Sequence, residues 1–319
     1  MRILIAGAGG AIGQPLTVRM LNAGHTVAAL TRSESKRESL AKLGATVFIA
    51  DALDAAAVEG VVQASKPDVI VNQLTAIPPD PDFLNFDREF EATNRLRTEG
   101  SNNLNAAAMT TGVQRMIAQS FSGSPYARTG SMVKSEEDPF DNSPPKQFRK
   151  TFDALRYLES AVITHFPTGG IVLRYGWLYG PGTALSKNGA MAEAVTKRML
   201  PIVAGGAGLW SFIHVEDAAA ATVAALDAPP GIYNIVDDEP ALTREWISLL
   251  AKLLGAKPPL ELPAWAAKPL VGDHGLAVLR DNRGASNHKA KQTFAWKPSY
   301  PSWKDGFRAE FETGAASHT

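Results

Sequence analysis

Short runs of valine, isoleucine, leucine and alanine alternate with longer amphipathic segments along the first half of the chain. The runs predict strands, at residues 2–6, 26–31, 46–50, 69–72, 115–119 and 170–174. Apolar residues recur at helical spacing between them, which predicts helices at residues 11–23, 35–43, 55–64, 86–111 and 152–164. Because the strand runs are apolar throughout, they indicate parallel strands covered on both faces. The pattern therefore predicts an α/β protein built on a doubly wound parallel sheet.

The pattern loosens after Gly180, where glycine and proline interrupt shorter segments. Helices are predicted at residues 190–198, 216–226 and 244–254, the last capped by Thr243 and stopped by Gly255. We expect this part to form a smaller C-terminal lid over the carboxyl edge of the sheet. Residues 124–150, rich in Pro, Ser and Asp, form the longest predicted loop, and a loop of that length is usually functional or mobile.

Composition narrows the class of protein. Of the 319 residues, 45% are hydrophobic and 20% are charged, as in ordinary globular proteins. The 32 basic and 32 acidic residues balance, so no positive excess exists to hold nucleic acid or an anionic membrane. The chain has no cysteine, which excludes disulfides, thiolate nucleophiles and cysteine-ligated zinc. A strand is predicted from the second residue and no apolar run approaches the ~20 residues of a membrane span, so we expect a cytoplasmic protein without a cleaved leader.

A glycine-rich turn follows the first predicted strand and opens the first helix. Gly7 allows the tight turn, Gly10 lets backbone amides approach a pyrophosphate, and Gly13 permits close packing of helix on strand. Ala11 and Ile12 would bring their backbone amides to the same anion. Such turns also occur without a ligand, but this one is followed by further strand and helix alternations. We therefore predict that it binds a dinucleotide.

The two parts of the chain are expected to have different tasks. Residues 1–175 are predicted to form the dinucleotide-binding domain. Residues 176–319 are predicted to be mainly a substrate-binding region, with segments that return to the first domain.

The end of the second predicted strand bears on which dinucleotide is bound. NAD-binding proteins usually place an acidic residue there for the ribose hydroxyls. This chain instead has Arg32, with Lys36 and Arg37 close behind. A guanidinium at this point can hold the 2'-phosphate of NADP, although Arg32 could equally be a solvated loop residue. We predict NADP as the cofactor, with NAD as the alternative.

Several further motifs have the spacing of a known family. Asp51 follows the third strand, residues 119–122 follow the fifth, residues 173–182 follow the sixth, and residues 212–219 open a later helix. Together with the closing segments 283–291 and 294–298, these motifs resemble the extended short-chain dehydrogenase/reductases, the NAD-dependent epimerase/dehydratase family. The resemblance covers nearly the whole chain, and it implies a Rossmann fold.

The resemblance also implies cofactor contacts. Asp51 and Leu53 would contact the adenine, and the segment from Tyr175 through Trp177 to Leu178 would edge the nicotinamide. The remaining implied cofactor contacts lie at the ends of the fourth and fifth strands: Gln73, Leu74, Thr75 and Ser120. Two ordinary roles stay open, because Asp51 could simply start the next turn and Trp177 could belong to the core.

The chain departs from the family at the catalytic positions. The family's Tyr-x-x-x-Lys places a phenol and an ammonium one helical turn apart, and the ammonium lowers the pKa of the phenol so that it can move a proton. Here those positions fall on Thr151 and Leu155. The Tyr-x-x-x-Lys at residues 300–304 contains Pro301 and is taken as coincidence. The family's asparagine, three residues before a helix glycine, is Arg97 here.

Other residues are candidates for the proton transfer that the family's tyrosine and lysine perform. Ser122 falls where the family keeps a substrate-binding Ser or Thr, and Tyr126 follows four residues later, so we predict these two as the catalytic residues. A loop tyrosine could equally serve packing. Arg174, His214 and Arg283 are the candidate substrate contacts, with structural ion pairs for the arginines and helix capping for the histidine as alternatives. No His, Asp or Glu cluster has metal-ligand spacing, so no metal is expected.

Two classes of function remain open. The first is an NADP-dependent oxidoreductase, or an epimerase or dehydratase using transient hydride transfer, that acts on a small-molecule carbonyl or alcohol with a proton from Tyr126, Ser122 or water. The second is a nucleotide-binding protein without redox turnover, acting as a sensor or in lyase or isomerase chemistry. The resemblance also implies a homodimer, formed by pairing of the predicted helices at 86–111 and 152–164 through these small and apolar residues: Ala106, Ala107, Ala108, Leu158, Ala161 and Val162.

Overall fold

The computed structural model describes residues 1–78 and 82–312. Its strands are β1 Arg2–Ala6, β2 Thr26–Thr31, β3 Thr46–Ile49, β4 Val69–Asn72, β5 Arg115–Phe121, β6 Val133–Lys134, β7 Gly170–Tyr175, β8 Trp177–Tyr179, β9 Ile202–Val203, β10 Leu209–Trp210, β11 Phe212–His214, β12 Gly231–Ile235, β13 Ala241–Leu242, β14 Glu261–Leu262 and β15 Gly284–Ala285. The six strands predicted from the sequence are all present. The prediction missed β12, whose residues lie beyond the regular alternation.

Seven of these strands form one parallel sheet in the order β12-β7-β5-β4-β1-β2-β3. The chain winds outward from β1 to β3 on one side and from β4 to β12 on the other. The direction of winding therefore reverses between β1 and β4, where Ala6 is paired with Asn72. In open sheets of this kind, ligands bind beyond the carboxyl ends of the strands at this reversal.

The helices are α1 Gly13–Asn22, α2 Arg37–Lys42, α3 Ala55–Ser65, α4 Phe86–Glu89, α5 Glu91–Arg95, α6 Ser101–Thr111, α7 Arg149–His165, α8 Ala190–Thr196, α9 Val215–Ala224, α10 Thr243–Leu253, α11 Ala264–Leu276, α12 His288–Phe294 and α13 Trp303–Glu312. Short 3-10 turns lie at Glu34–Lys36, Phe83–Asn85, Lys146–Phe148 and Ala225–Asp227, and π turns at Leu96–Gly100 and Ala277–Asp281.

Alternate strand residues supply two apolar layers, one on each face of the sheet. Ile3 and Ile5 pack with α1 and α9 on one face. Leu4 packs with α3, α6 and α7 on the other. Each strand therefore needs apolar side chains in both directions, which explains why the strand runs show no polar alternation.

The predicted helix at 86–111 is divided in the structure. Phe90 leaves helical geometry between α4 and α5, and the π turn at Leu96–Gly100 separates α5 from α6. A π turn is a local change within a chain that stays helical on both sides, so it does not end the apolar pattern from which a single helix was predicted. The division matters because the π turn carries Arg97.

The remaining strands and helices build a third apolar cluster beside the sheet, centred on the buried Trp210 and Trp246. Thr243 was predicted to cap the helix that follows it, but it is the first residue of α10 and its side chain has another task. The Thr243 hydroxyl accepts a hydrogen bond from Trp210 Nε1 at 2.9 Å and donates one to the Gly208 carbonyl at 3.1 Å. The Thr243 hydroxyl thus satisfies buried polar groups of the core and does not cap the helix.

The residues implied in a dimer contact divide between core and surface. Ala107, Ala108, Leu158 and Val162 are buried in the layer against the sheet, whereas Ala106 is exposed on α6.

Within residues 1–78 and 82–312, no helix is both long enough and apolar enough to cross a membrane.

Candidate active site

The glycine turn between β1 and α1 tolerates no side chain at its ends. Gly7 has a φ of +89°, and a Cβ there would lie 2.5 Å from the Gln73 carbonyl oxygen. A Cβ on Gly13 would lie 2.3 Å from the Gly7 carbonyl oxygen. The Gly10 amide donates to that same oxygen at 3.0 Å. The turn is therefore drawn tightly against β4, directly at the reversal of the sheet.

A second glycine loop faces this turn. Gly182, with a φ of +81°, follows β8, and a Cβ on it would lie 3.5 Å from the Cβ of Ala11. Ile12 beside Ala11 is buried and precedes the first residue of α1. Gly182 belongs to the motif at residues 173–182, which implied no contact for it. Because Gly182 has a positive φ and no side chain, the two loops can approach each other closely.

Two cations stand at the carboxyl end of β2. Arg32 is exposed and makes no hydrogen bond or ion pair with the described residues. The Lys36 side chain packs against the glycine turn, since a Cβ on Gly9 would lie 3.1 Å from Lys36 Cγ. Arg37, by contrast, forms an ion pair with Glu34. Arg32 and Lys36 are thus the two cations without an ion-pair partner among the described residues at this end of β2.

The residues implied at the adenine end lie after β3 and β4. The Asp51 carboxylate accepts a hydrogen bond from the Leu53 amide at 3.0 Å, so it forms the turn that the sequence analysis gave as its ordinary role. Leu53 packs against the sheet layer. The Leu74 amide donates to the Asn72 side chain at 3.1 Å, and Thr75 follows in the half-buried loop.

The Tyr175 hydroxyl lies between the side chains of Gln73 and Thr222. It accepts a hydrogen bond from Gln73 Nε2 at 3.0 Å and lies 2.6 Å from the Thr222 hydroxyl. Burial raises the pKa of Tyr175 to about 12. The Gln73 Oε1 atom is buried and has no hydrogen-bond partner among the described residues. The hydrogen bond to Tyr175 therefore fixes the orientation of the Gln73 side chain.

Arg174 lies in a buried polar network instead of an open cleft. Its guanidinium forms an ion pair with Glu159 at 2.7 Å, and both side chains are 7% exposed. Ser120 donates to the same carboxylate at 2.6 Å. Burial opposes the charge of Arg174, but the hydrogen bonds and the charge of Glu159 outweigh it and raise the guanidinium pKa above its ordinary value. The ion pair that the sequence analysis left open is thus present.

Tyr126 belongs to the same network. Arg174 Nη1 donates to the Tyr126 hydroxyl at 2.9 Å, and the hydroxyl donates to Asn234 Oδ1 at 2.7 Å. Burial raises the pKa of Tyr126 to about 12. The phenol is therefore both engaged and held in its neutral form. Asn234 lies on β12, far away in sequence, so no local pattern could have indicated this contact.

Ser122 is placed differently. It is 1% exposed, its amide donates to the Tyr175 carbonyl at 2.9 Å, and its hydroxyl has no partner among the described residues. Trp177 Nε1 is likewise buried without a described partner, although the indole ring packs on Phe121. Leu178 packs into the sheet layer. Unpaired buried polar atoms at Gln73, Ser122 and Trp177 thus collect along the carboxyl edge, as expected where a polar ligand supplies the partners.

Thr151 and Leu155 occupy the first half of α7. The Thr151 hydroxyl donates to Asp87 at 3.3 Å and accepts a hydrogen bond from Asn94 Nδ2 at 3.0 Å. Leu155 is fully buried in an aromatic cluster with Phe152. At these two positions α7 therefore offers an engaged hydroxyl and an aliphatic side chain.

The last two substrate candidates have structural partners. His214 caps α9, where its ring nitrogen accepts a hydrogen bond from the Glu216 amide at 3.2 Å, and burial lowers its pKa. Arg283 donates to the backbone carbonyl of Arg128 and, at 3.4 Å, to that of Asp281. The Arg283 Nε atom is buried without a described partner.

Comparisons with known proteins agree with this geometry. The model of the NAD dependent epimerase/dehydratase family matches residues 3–236. A 3-diazoavenalumate denitrifying reductase from Streptomyces is 41% identical over 97% of this chain and 100% of its own. A UDP-glucose 4-epimerase from Mycolicibacterium smegmatis is 27% identical over 93% of this chain and 94% of its own.

Solved structures share the fold. The UDP-glucose 4-epimerase of Thermus thermophilus, in complex with NAD, has a TM-score of 0.76 at 22% identity, covering 99% of this chain and 100% of that one. The UDP-glucose 4-epimerase of Thermotoga maritima, with UDP-glucose, has a TM-score of 0.76 at 20% identity, covering 98% of both chains. The glycine turn, its unpaired neighbours and the two free cations fit a bound dinucleotide. The chain belongs to the NAD-dependent epimerase/dehydratase family and is an enzyme of the oxidoreductase or epimerase type.

Proposed function

We propose that the protein is an NADPH-dependent reductase whose substrate accepts a hydride without taking up a proton, and specifically that it removes nitrogen from an aryl diazonium compound. The observation that carries the proposal is the content of the catalytic positions on α7. Thr151 is hydrogen bonded to Asp87 and Asn94, and Leu155 is aliphatic and buried. Neither can deliver a proton near neutral pH. The likeness to a denitrifying reductase supports the same choice.

The chemistry explains why such a site can work. The bound dinucleotide supplies a hydride. At the ring carbon of the substrate a C–H bond forms with the hydride electron pair, the C–N bond breaks, and N2 leaves with the electrons of that bond. The diazonium is reduced, the dihydronicotinamide is oxidised, and no proton is consumed. A carbonyl, in contrast, needs a proton on its oxygen, which is the work of the family's tyrosine and lysine.

Ser122 and Tyr126 keep proposed roles in this scheme. Ser122 has a buried hydroxyl without a described partner at the carboxyl edge, so it is the better placed of the two to touch a ligand. The Tyr126 hydroxyl is already bonded to Arg174 and Asn234, and its raised pKa makes it a weak acid. We assign Ser122 to substrate binding. We assign Tyr126 a positioning role, because its hydroxyl holds the side chains of Arg174 and Asn234 in place.

The test uses benzenediazonium and NADPH carrying deuterium at the transferred position. We expect protein-dependent release of N2, equal consumption of NADPH and deuterated benzene, measured by mass spectrometry against an equal concentration of albumin. Ser122→Ala and Tyr126→Phe should lose much less than the roughly 10²- to 10⁴-fold in kcat that removal of a general acid costs. A loss of that size with a carbonyl substrate would instead support a proton donor. Binding of NADPH with no protein-dependent reduction would leave the non-redox alternative.

Arg32 and Lys36 support the choice of NADPH. Both lie unpaired at the end of β2, beside the glycine turn, whereas Glu34 in the same turn is paired with Arg37. Two cations at this point suit a 2'-phosphate. They would make the enzyme select NADPH over NADH, a choice that the family alone leaves open.

Replacing Arg32 with alanine should weaken NADPH binding by about 10- to 150-fold, because a hydrogen bond to a charged group contributes roughly 1.5–3 kcal/mol. NADH binding should change little, and quenching of tryptophan fluorescence can follow both titrations. Arg37→Ala is the matched control, since Arg37 is paired with Glu34. Equal affinities for the two cofactors, unaffected by Arg32→Ala, would refute the assignment.

A further inference from the structure

Arg97 is a buried guanidinium without a carboxylate partner in the described part of the chain. It is 7% exposed, and its one hydrogen bond runs from Nη1 to Asn94 Oδ1 at 3.3 Å. Burial lowers the pKa of Arg97 to about 10, so the group stays charged at neutral pH. A buried charge without a counter-charge costs free energy unless a ligand supplies one.

The position of Arg97 is fixed by its neighbours on the helix. Thr93, four residues before it, accepts a hydrogen bond from the Ala76 amide at 3.0 Å. Ser101, four residues after it, accepts one from Asn72 Nδ2 at 3.0 Å. Residues at this spacing share a helix face. Arg97 therefore lies between them, beside the carboxyl end of β4, in a π turn of the kind often found at functional sites.

The other side of this corner is formed by α7 and aromatic rings. Asn94, which holds Arg97, also donates to Thr151 at 3.0 Å. Phe152 and Phe148 follow beside Thr151, with ring centroids 4.8 Å apart, and His274 stacks on Phe148 at 4.0 Å. Burial, with a contribution from the charge of Arg128, lowers the pKa of His274 to about 3, so this ring is neutral near pH 7. Arg97 is thus linked through Asn94 and Thr151 to a packed aromatic cluster whose rings are 2–3% exposed, and the Asp87 carboxylate is hydrogen bonded to the same Thr151.

We propose that Arg97 binds the carboxylate of an aromatic substrate in this corner. The inference rests on the proposed function, because it takes the hydride-accepting compound as the ligand. Four of the five N–H groups of the guanidinium have no partner among the described residues. A carboxylate would accept two of them side by side and would neutralise the buried charge.

Calorimetric titration of the NADPH-saturated protein with benzoate and benzamide tests the assignment without any turnover. Wild type should prefer benzoate, and Arg97→Met should weaken benzoate binding by about 10- to 100-fold, as expected for a hydrogen bond to a charged group. Arg97→Lys should retain part of the preference. Arg95→Met is the matched control, because Arg95 is exposed and paired with Glu99. In the absence of benzoate, Arg97→Met should melt no lower than wild type, since it removes an unpaired buried charge.

Three results would overturn the assignment. Equal binding of benzoate by wild type and both Arg97 variants would exclude a carboxylate contact. A similar loss of NADPH affinity in Arg97→Met would indicate that Arg97 contacts the dinucleotide. A large drop in the melting temperature of Arg97→Met would indicate that Arg97 stabilises the fold. The proposed function fails separately, by a lack of benzenediazonium reduction, which leaves the benzoate result intact. Conversely, reduction of benzenediazonium with no Arg97-dependent benzoate binding would refute this inference alone.

Discussion

Glu159→Leu is expected to lower the free energy of unfolding by about 3–5 kcal/mol, the range for removing one partner of a buried ion pair. The Glu159 carboxylate is 7% exposed and accepts hydrogen bonds from Arg174 and Ser120. Its loss would leave the Arg174 guanidinium buried against the rings of Phe140 and Tyr126 with no negative charge in contact. Urea denaturation followed by circular dichroism measures the change.

Two further variants separate the charge from the packing. In the double variant Glu159→Leu with Arg174→Met, both charges are gone and much of the lost stability should return. Glu99→Gln, which removes an exposed partner of Arg95, should change stability by no more than about 1 kcal/mol. If Glu159→Leu alone also costs under 1 kcal/mol, the ion pair does not hold this face of α7 to the sheet.

The sheet could be predicted from the sequence because its strands are apolar on both faces. The six predicted runs, which became β1 to β5 and β7, are short and mostly apolar, so both their type and their place were visible. β12 was missed since Gly231–Ile235 contains the polar Asn234 and lies outside the regular alternation. The Asn234 side chain accepts a hydrogen bond from the Tyr126 hydroxyl, which lies far away in the sequence, so local patterning gives no reason for a polar residue in this strand.

The glycine turn between β1 and α1 was similarly open to prediction, and the surroundings of Tyr126 and Arg97 were not. Three glycines with fixed spacing specify a turn on their own. The environment of Tyr126, in contrast, depends on Arg174, Asn234 and Glu159, which lie on three different elements. Arg97 shows the same limit, since the sequence revealed a departure from the family at this position but not that the side chain is buried without a counter-charge.

The glycine turn leads to the second large effect: Gly13→Ala should raise the Kd for NADPH by about 100-fold or more. The added Cβ would lie 2.3 Å from the Gly7 carbonyl oxygen and 2.6 Å from that of Ala8, both of them backbone atoms. The turn must move, and losing the alignment of two hydrogen bonds to the pyrophosphate would cost about 1.5 kcal/mol or more for each. The same overpacking should destabilise the apoprotein by about 1–3 kcal/mol.

Gly60→Ala provides the matched control for this effect. Gly60 lies within α3, and a Cβ there would meet no atom within 4 Å. Alanine should therefore stabilise the protein by about 0.5–1 kcal/mol through its better helix propensity, and the Kd for NADPH should stay unchanged. Fluorescence titration of both variants, beside thermal melts, distinguishes a local effect on the turn from a general effect of added side chains. If Gly13→Ala bound NADPH like wild type, the turn would not be the pyrophosphate site, and the dinucleotide would have to bind elsewhere on the protein.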